Sequence, residues 1–292
     1  MISRAEIEGS SWCRECVVLE TFSSTSAGKS APGVGGSMAR MAIVGNYLYA
    51  VDRHTLTPVS LANPDNPGIL APVNAGWDIE TIYPFEDKLF LGSMGGMFVF
   101  DLTDPQKPQN LSMFDHARAC DPVVANNQHA FVTLREGTGC GPSKNQLLVL
   151  DVTHIEHPWL IKDYEMSNPH GLAIDGNLLF ICDGNAGLKI FDASDVRELQ
   201  QIGRIPLADT YDVIAWNKKL IVVAKNGIWQ FDYTDPQHIQ LLSSIVKQDG
   251  RRMHGITAAA LQLACFQVKQ AGLSRHSGSV ECSRKAICWL WG

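Results

Sequence analysis

Short apolar runs recur between Ala39 and Gln248, each four to seven residues long and each bounded by polar residues. NYLYAVD from Asn46, KLFLGS from Lys88, HAFVTL from His129, LLFICD from Leu178 and KLIVVAK from Lys219 align with one another. All are rich in β-branched and aromatic residues. Such residues pack well on a pleated surface, and runs this short predict strands rather than helices. Gly-Asn at 45–46 and 176–177 and Asn-Gly at 226–227 punctuate them, the pairs expected where a chain reverses tightly.

A third run in each segment ends on a common signature. These runs are MFVFDLTDP, LLVLDVTHI, LKIFDASDV and IWQFDYTDP, with the poorer LTPVSLANP in the first segment. The anchor residues Ser60, Asp101, Asp151, Asp192 and Asp232 are separated by 41, 50, 41 and 40 positions. A fourth run follows each anchor, as in HPWLIKDYEM and IQLLSSIV. Four antiparallel strands in about 41 residues make one blade of a β-propeller. A lone blade has two apolar faces and can cover neither, so blades stack radially. The expected fold is therefore all-β: a propeller of four-stranded antiparallel blades, five of them recognisable, with a possible degenerate sixth. In the Asp-x-Ser/Thr element both side chains can bond nearby backbone, and the Pro that follows stops the strand. These acids therefore read as turn residues, not catalytic ones.

The two ends lack this pattern. Residues 1–36 read as an irregular segment with a Ser/Gly/Ala/Pro-rich linker, 37–248 as the propeller repeats, and 249–292 as an irregular tail or degenerate blade. MHGI at 253–256 echoes PHGL at 169–172, which suggests where a sixth blade would begin. The first twenty residues have no basic start followed by an apolar core, so no secretory signal is read there.

Composition narrows the function. Of 292 residues, 45% are hydrophobic and 18% charged, as in a globular protein rather than a disordered or fibrous one. Lys plus Arg number 24 against 30 Asp plus Glu, a net charge of −6 with no basic cluster, which argues against nucleic acid as a partner. No apolar stretch reaches the length of a membrane span. A monomer is expected.

Four further segments, GWDIETI at 76–82, HARACDPVV at 116–124, REGTGC at 135–140 and NPHGLAIDG at 168–176, join the LLVLD and LKIFD endings in a resemblance. Across residues 37–245 the chain resembles the LVIVD-repeat proteins. That resemblance implies a β-propeller in a bacterial cell envelope or outside the cell, in many cases as a lipoprotein of Bacteroidetes-like organisms. It implies no particular activity.

In a propeller the first strand of each blade lines the central channel. Its start shares a face with the loop joining strands 2 and 3. Alignment through strand 2 places Ala39, Glu80, Asp121, His170 and Asp212 at that start, 41, 41, 49 and 42 positions apart. Glu80, Asp121, His170 and Asp212 are thus the candidate binding residues of the channel mouth. Carboxylates gathered there would raise one another's pKa or recruit a cation such as Ca²⁺. A solvated rim needs no ion, so no metal ligand, cofactor or catalytic residue is assigned.

Eight cysteines lie at 13, 16, 120, 140, 182, 265, 282 and 288. Cys13 and Cys16 form a CxxC pair without a second pair to complete a zinc site. Cys120 precedes the inner strand of the third blade, and Cys140 lies in the long loop between its strands 2 and 3. Both belong to one face of one blade, so a Cys120–Cys140 disulfide is expected, and with it an oxidising compartment. Cys182, inside a strand-2 run, is expected to be a buried free thiol. Trp77, Trp216 and Trp229 are read as blade-packing residues, and His154 and His157 as exposed turn residues away from the channel. The function that fits is a non-enzymatic envelope scaffold binding a protein, glycan or small ligand at the channel mouth. The alternative is a metal-dependent hydrolase or lactonase-like enzyme using the same mouth.

Overall fold

The computed structural model describes residues 36–115, 122–136 and 144–246, and these form strands and turns without a helix. The first blade holds β1 (Met41–Val44), β2 (Tyr47–Val51) and β3 (Thr55–Ser60), with a fourth strand broken into β4 (Gly68–Ile69) and β5 (Val73–Asn74). Pro72 lies in the break, where a residue without an N–H cannot continue the ladder. The second blade is β6 (Ile79–Phe85), β7 (Lys88–Ser93), β8 (Gly96–Asp101) and β9 (Gln109–Asp115). The third is β10 (Val123–Ala125), β11 (His129–Leu134), β12 (Gln146–Asp151) and β13 (Trp159–Glu165). The fourth is β14 (Leu172–Asp175), β15 (Leu178–Cys182), β16 (Leu188–Asp192) and β17 (Gln200–Ile205). The fifth is β18 (Thr210–Trp216), β19 (Lys219–Ala224), β20 (Gly227–Asp232) and β21 (Gln240–Val246). Each blade is an antiparallel meander in sequence order, and together they make a five-bladed β-propeller.

The core lies between blades rather than within them. One apolar cluster joins blades 1 and 2 through Tyr49, Leu56, Ile82 and Phe98. Others join blades 2 and 3 (Phe90, Val132), 3 and 4 (Phe131, Leu179), and 4 and 5 (Phe180, Phe231). Strand 2 of each middle blade is accordingly buried on both faces, which is why its sequence is a continuous apolar run and not an alternation.

The anchor residues serve the turns as the pattern implies. Asp151 Oδ1 accepts the N–H of Thr153 at 2.9 Å, Asp192 Oδ1 that of Ser194 at 2.9 Å and Asp232 Oδ1 that of Thr234 at 2.8 Å. Asp101 and Asp232 also pair with the lysine that opens strand 2 of their own blade, Lys88 at 2.9 Å and Lys219 at 2.6 Å. Cys182 is a fully buried free thiol. His154 and His157 are exposed. Trp229 packs against the cluster of blades 4 and 5. Trp77 corrects the expectation: it is 78% exposed, edge-on to His54 with ring centroids 6.4 Å apart. The turn before β6 lifts it off the sheet, and Gly76 beside it, at a φ of 114°, lies under the Phe98 ring. Cys120, Cys140 and Asp121, like the sixth-blade tetrad, lie outside the described residues.

Candidate functional site

The inner strands of blades 2 and 5 open with a bulge. Ile79 pairs with Ser93 and Thr81 with Gly92, leaving Glu80 as the extra residue; Thr210 pairs with Ala224 and Asp212 with Val223, leaving Tyr211. In blade 4 the His170 N–H donates to Cys182 O at 2.7 Å and the Cys182 N–H to Gly171 O at 2.9 Å. Gly171 therefore corresponds to Asp212, and His170 to Tyr211. The equivalent positions of the described blades are Ala39, Glu80, His170 and Tyr211. The register corrects the sequence alignment by one residue in blade 5: Tyr211, eight residues before the Lys219 that opens strand 2, holds the place that Glu80 holds eight residues before Lys88. With Tyr211 in place, the last separation returns to 41.

The loops between strands 2 and 3 meet these strand starts on one face. Met94 N–H donates to Asp78 O at 3.3 Å, Thr210 N–H to Gly184 O at 3.1 Å and Lys225 N–H to Asp209 O at 2.9 Å. Asn145 bridges blades, accepting the Glu136 N–H at 2.9 Å and donating to Ser167 O at 2.8 Å. Asp183, wholly buried, accepts the N–H groups of Ser167 and Asn168 at 3.1 and 2.7 Å and pairs with Lys189 at 2.5 Å. The mouth is thus held by short backbone and side-chain bonds on a rigid frame.

At its centre Arg135, just beyond β11, reaches His170 of the next blade. Its Nη1 lies 3.1 Å from both ring nitrogens of His170. The His170 ring stands edge-on to Tyr211 at 5.5 Å and 79°. The hydroxyl of Thr133 donates to His170 O at 2.6 Å and fixes the backbone there. Burial, and then the Arg135 charge, push the His170 imidazole down to about 4, against the opposing pull of Asp183 and Asp209. The ring is therefore neutral near pH 7, and its unprotonated nitrogen accepts from the guanidinium. Burial also lowers Arg135 from its ordinary value, with the Glu80 carboxylate acting the other way.

Asp212 has a different environment. It is fully buried, and its Oδ1 accepts the Val213 N–H at 3.0 Å and the Ser37 hydroxyl at 3.4 Å. Its Oδ2 has no hydrogen-bond partner. Burial pushes its carboxyl up to about 7 despite the Val213, Ser37 and Met38 donors. The structure brings Glu80, Arg135, His170 and Tyr211 together from four blades and sets Asp212 behind them. Among the described residues no three of His, Cys, Asp and Glu converge as metal ligands. Sequence reasoning did not single out Arg135, Tyr211 or Ser37. Arg135 opens the REGTGC segment directly after a strand-2 run, and Tyr211 keeps the 41-residue spacing, so both signals were present.

The LVIVD repeat model matches residues 35–74 and 168–206, the strands of blade 1 and those of blade 4 with the loop before them. No curated protein matches the sequence. Solved structures share the fold at low identity. A protein from Lactobacillus plantarum is 13% identical with a TM-score of 0.54, over 70% of this chain and 74% of that one. A functionally unknown protein from Desulfotomaculum acetoxidans is 10% identical with a TM-score of 0.55, over 74% and 70%. A periplasmic gluconolactonase from Pseudomonas aeruginosa is 11% identical with a TM-score of 0.53, over 69% and 68%. The two LVIVD-repeat matches fall on the first and fourth of five meander blades, which is consistent with an LVIVD-repeat β-propeller.

Proposed function

We propose that the chain is a non-enzymatic binding scaffold, and that its channel-mouth face takes a glycan or another small polar ligand around Arg135, His170 and Tyr211. One observation carries this reading. A partly buried guanidinium, a neutral imidazole and a half-exposed phenol ring meet where three blades converge, on a backbone that their own hydrogen bonds hold still. Such a set offers donors, an acceptor and an aromatic surface to a polar ligand, without a base or nucleophile aimed at a reacting atom. The exposed Trp77 on the same face adds a second aromatic surface. The LVIVD resemblance supports a cell-envelope setting.

Thermal-shift titration with a panel of oligosaccharides and organic acids tests the reading. At least one compound raises the melting temperature of the wild-type chain, and Arg135→Ala with Tyr211→Ala abolishes that shift. A shift that survives the double substitution would place binding elsewhere. The likeness to a gluconolactonase favours a second reading, a lactonase-like enzyme. Hydrolysis of gluconolactone by the purified chain with divalent cations added, lost on Glu80→Gln, would replace the scaffold by that enzyme.

A further inference from the structure

Ser37 and Asp212 are both buried where the chain enters blade 1. The Ser37 hydroxyl lies 3.4 Å from Asp212 Oδ1 and 2.7 Å from the Leu172 nitrogen. One side chain of the entering segment thus reaches the inner strands of blades 4 and 5. Apolar clusters join blades 1 and 2, 2 and 3, 3 and 4, and 4 and 5. Among the described residues no such cluster joins blade 5 to blade 1, and the link from blade 5 to the entering segment is polar. Asp212 accepts only from uncharged donors, the Val213 N–H, the Ser37 hydroxyl and the Met38 N–H. Its Oδ2 is buried without a partner. Its Oδ1 lies over Gly171, where an added Cβ would be only 2.1 Å away. The charged and titratable groups around it are engaged elsewhere. Asp209 pairs with Lys225 at 2.7 Å and Asp183 with Lys189 at 2.5 Å. Arg135 reaches His170, Tyr211 stands edge-on to that ring, Cys182 is a buried neutral thiol, and Arg40 is exposed. A carboxyl in such a place is stable as the neutral acid and costly as an anion.

We propose that Asp212, Ser37 and Leu172 form a proton-dependent latch, which holds the entering segment on the inner strands of blades 4 and 5 while Asp212 is protonated and opens ahead of the rest of the fold as Asp212 ionises. In the open form water reaches the carboxylate, which regains its ordinary acidity of 3.8; in the closed form burial pushes it up to about 7. The opening equilibrium therefore rises with pH between these two values, by up to about tenfold per pH unit, and levels off above them. His170 keeps its place in the open form, held by Thr133 and Arg135, so its own titration, of opposite sign, is not part of the opening. The latch adjoins the mouth: the Gly171 N–H donates to Tyr211 O at 2.9 Å, between His170 and Asp212 in space. That the latch regulates ligand binding there rests on the binding reading of the preceding section; the latch itself does not.

Native-state hydrogen exchange of the full-length chain, followed residue by residue by NMR with no ligand added, tests the latch alone. Leu172 is the reporter, because its N–H is bonded to Ser37. After correction for the intrinsic acceleration of exchange with pH, its protection should fall about 100-fold between pH 4.5 and pH 6.5. Urea below the unfolding transition should leave that protection unchanged, whereas strand β11, deep between blades 2 and 3, should be better protected and sensitive to urea. Asp212→Asn should remove the pH dependence at Leu172, and Ser37→Ala should lower its protection at pH 4.5. Leu172 exchange equal to that of β11 in rate and urea dependence would show that only global unfolding frees the segment. Protection of Leu172 that stays constant across this pH range in the wild-type chain would show that ionisation does not open it. Either result overturns the latch. A latch that behaves as expected, in a chain that binds none of the oligosaccharides or organic acids, would remove only its role at the mouth.

Discussion

Ser37 Oγ donates to Asp212 Oδ1 at 3.4 Å while accepting the Leu172 N–H at 2.7 Å. One hydroxyl therefore links the segment entering blade 1 to the inner strands of blades 4 and 5. The hydroxyl satisfies one carboxyl oxygen and leaves the other, Oδ2, buried without a partner. A buried carboxylate in that position favours its neutral form.

The first prediction follows from that preference. The folded-state pKa of Asp212, at about 7, lies above its ordinary 3.8. The folded chain therefore holds a proton that the unfolded chain releases. The stabilisation is complete below the unfolded value and disappears as pH rises through about 7, by at most about 4 kcal/mol. Urea unfolding of the wild-type chain should show the loss between about pH 4 and pH 7, with little further change above. Asp212→Asn, which cannot ionise, should flatten this part of the profile. An unchanged slope in the variant would mean that Asp212 is ionised throughout.

His170 gives the opposite dependence. Its folded-state pKa, about 4, lies below the ordinary 6.5 because burial and the Arg135 charge oppose protonation. Stability from this group is present above the unfolded value and is lost as pH falls through about 4. His170→Gln keeps an acceptor for Arg135 and cannot titrate. It should lower stability modestly at pH 7 and remove part of the acid-side decline, read as urea midpoints between pH 4 and pH 7. An acid limb as steep as that of the wild-type chain would refute the assignment.

The propeller was legible because its determinants are local and repeated. The continuous apolar runs of strand 2 report burial on both faces, and each Asp-x-Ser/Thr turn carries its own backbone bonds. The starts of the described inner strands were legible to within a residue. Glu80 and His170 open the inner strands of blades 2 and 4, and the ladder of blade 5 puts Tyr211, not Asp212, at the corresponding place. Arg135 escaped notice because its partner lies 35 positions away on another blade, a relationship that only the packing of blades creates. Trp77 misled for the opposite reason. A large aromatic beside a strand ordinarily packs, and only the turn geometry at Gly76 shows that this one does not.

Cys182 should resist alkylation in the native state. Burial, then the nearby Asp212 charge, raise its thiol well above the ordinary value, so almost no thiolate exists to react at pH 8. Its neighbours in the cluster of blades 4 and 5 leave a reagent no path. Mass spectrometry after iodoacetamide treatment should find the peptide holding Cys182 unmodified without denaturant and fully modified in guanidinium chloride. Rapid native labelling would show that blades 4 and 5 open far more readily than this packing allows.

The sharpest stability prediction concerns Gly171. Its N–H donates to Tyr211 O at 2.9 Å, which draws the inner strands of blades 4 and 5 together at the mouth. A Cβ placed there would sit 3.0 Å from the Asp212 Cα and overlap the Asp212 carboxyl. Both obstacles are held in place, one as backbone and the other as a side chain fixed by Val213 and Ser37. Neither can swing away as the tip of an exposed lysine would. Gly171→Ala should therefore separate the two strands and cost about 1 to 3 kcal/mol, the range for overpacking a closed site. The equivalent change at Gly95, where an added Cβ meets nothing within 4 Å, should leave the melting temperature nearly unchanged. Differential scanning calorimetry of both variants supplies the comparison. Equal melting temperatures for the two would mean that blades 4 and 5 do not approach one another through Gly171.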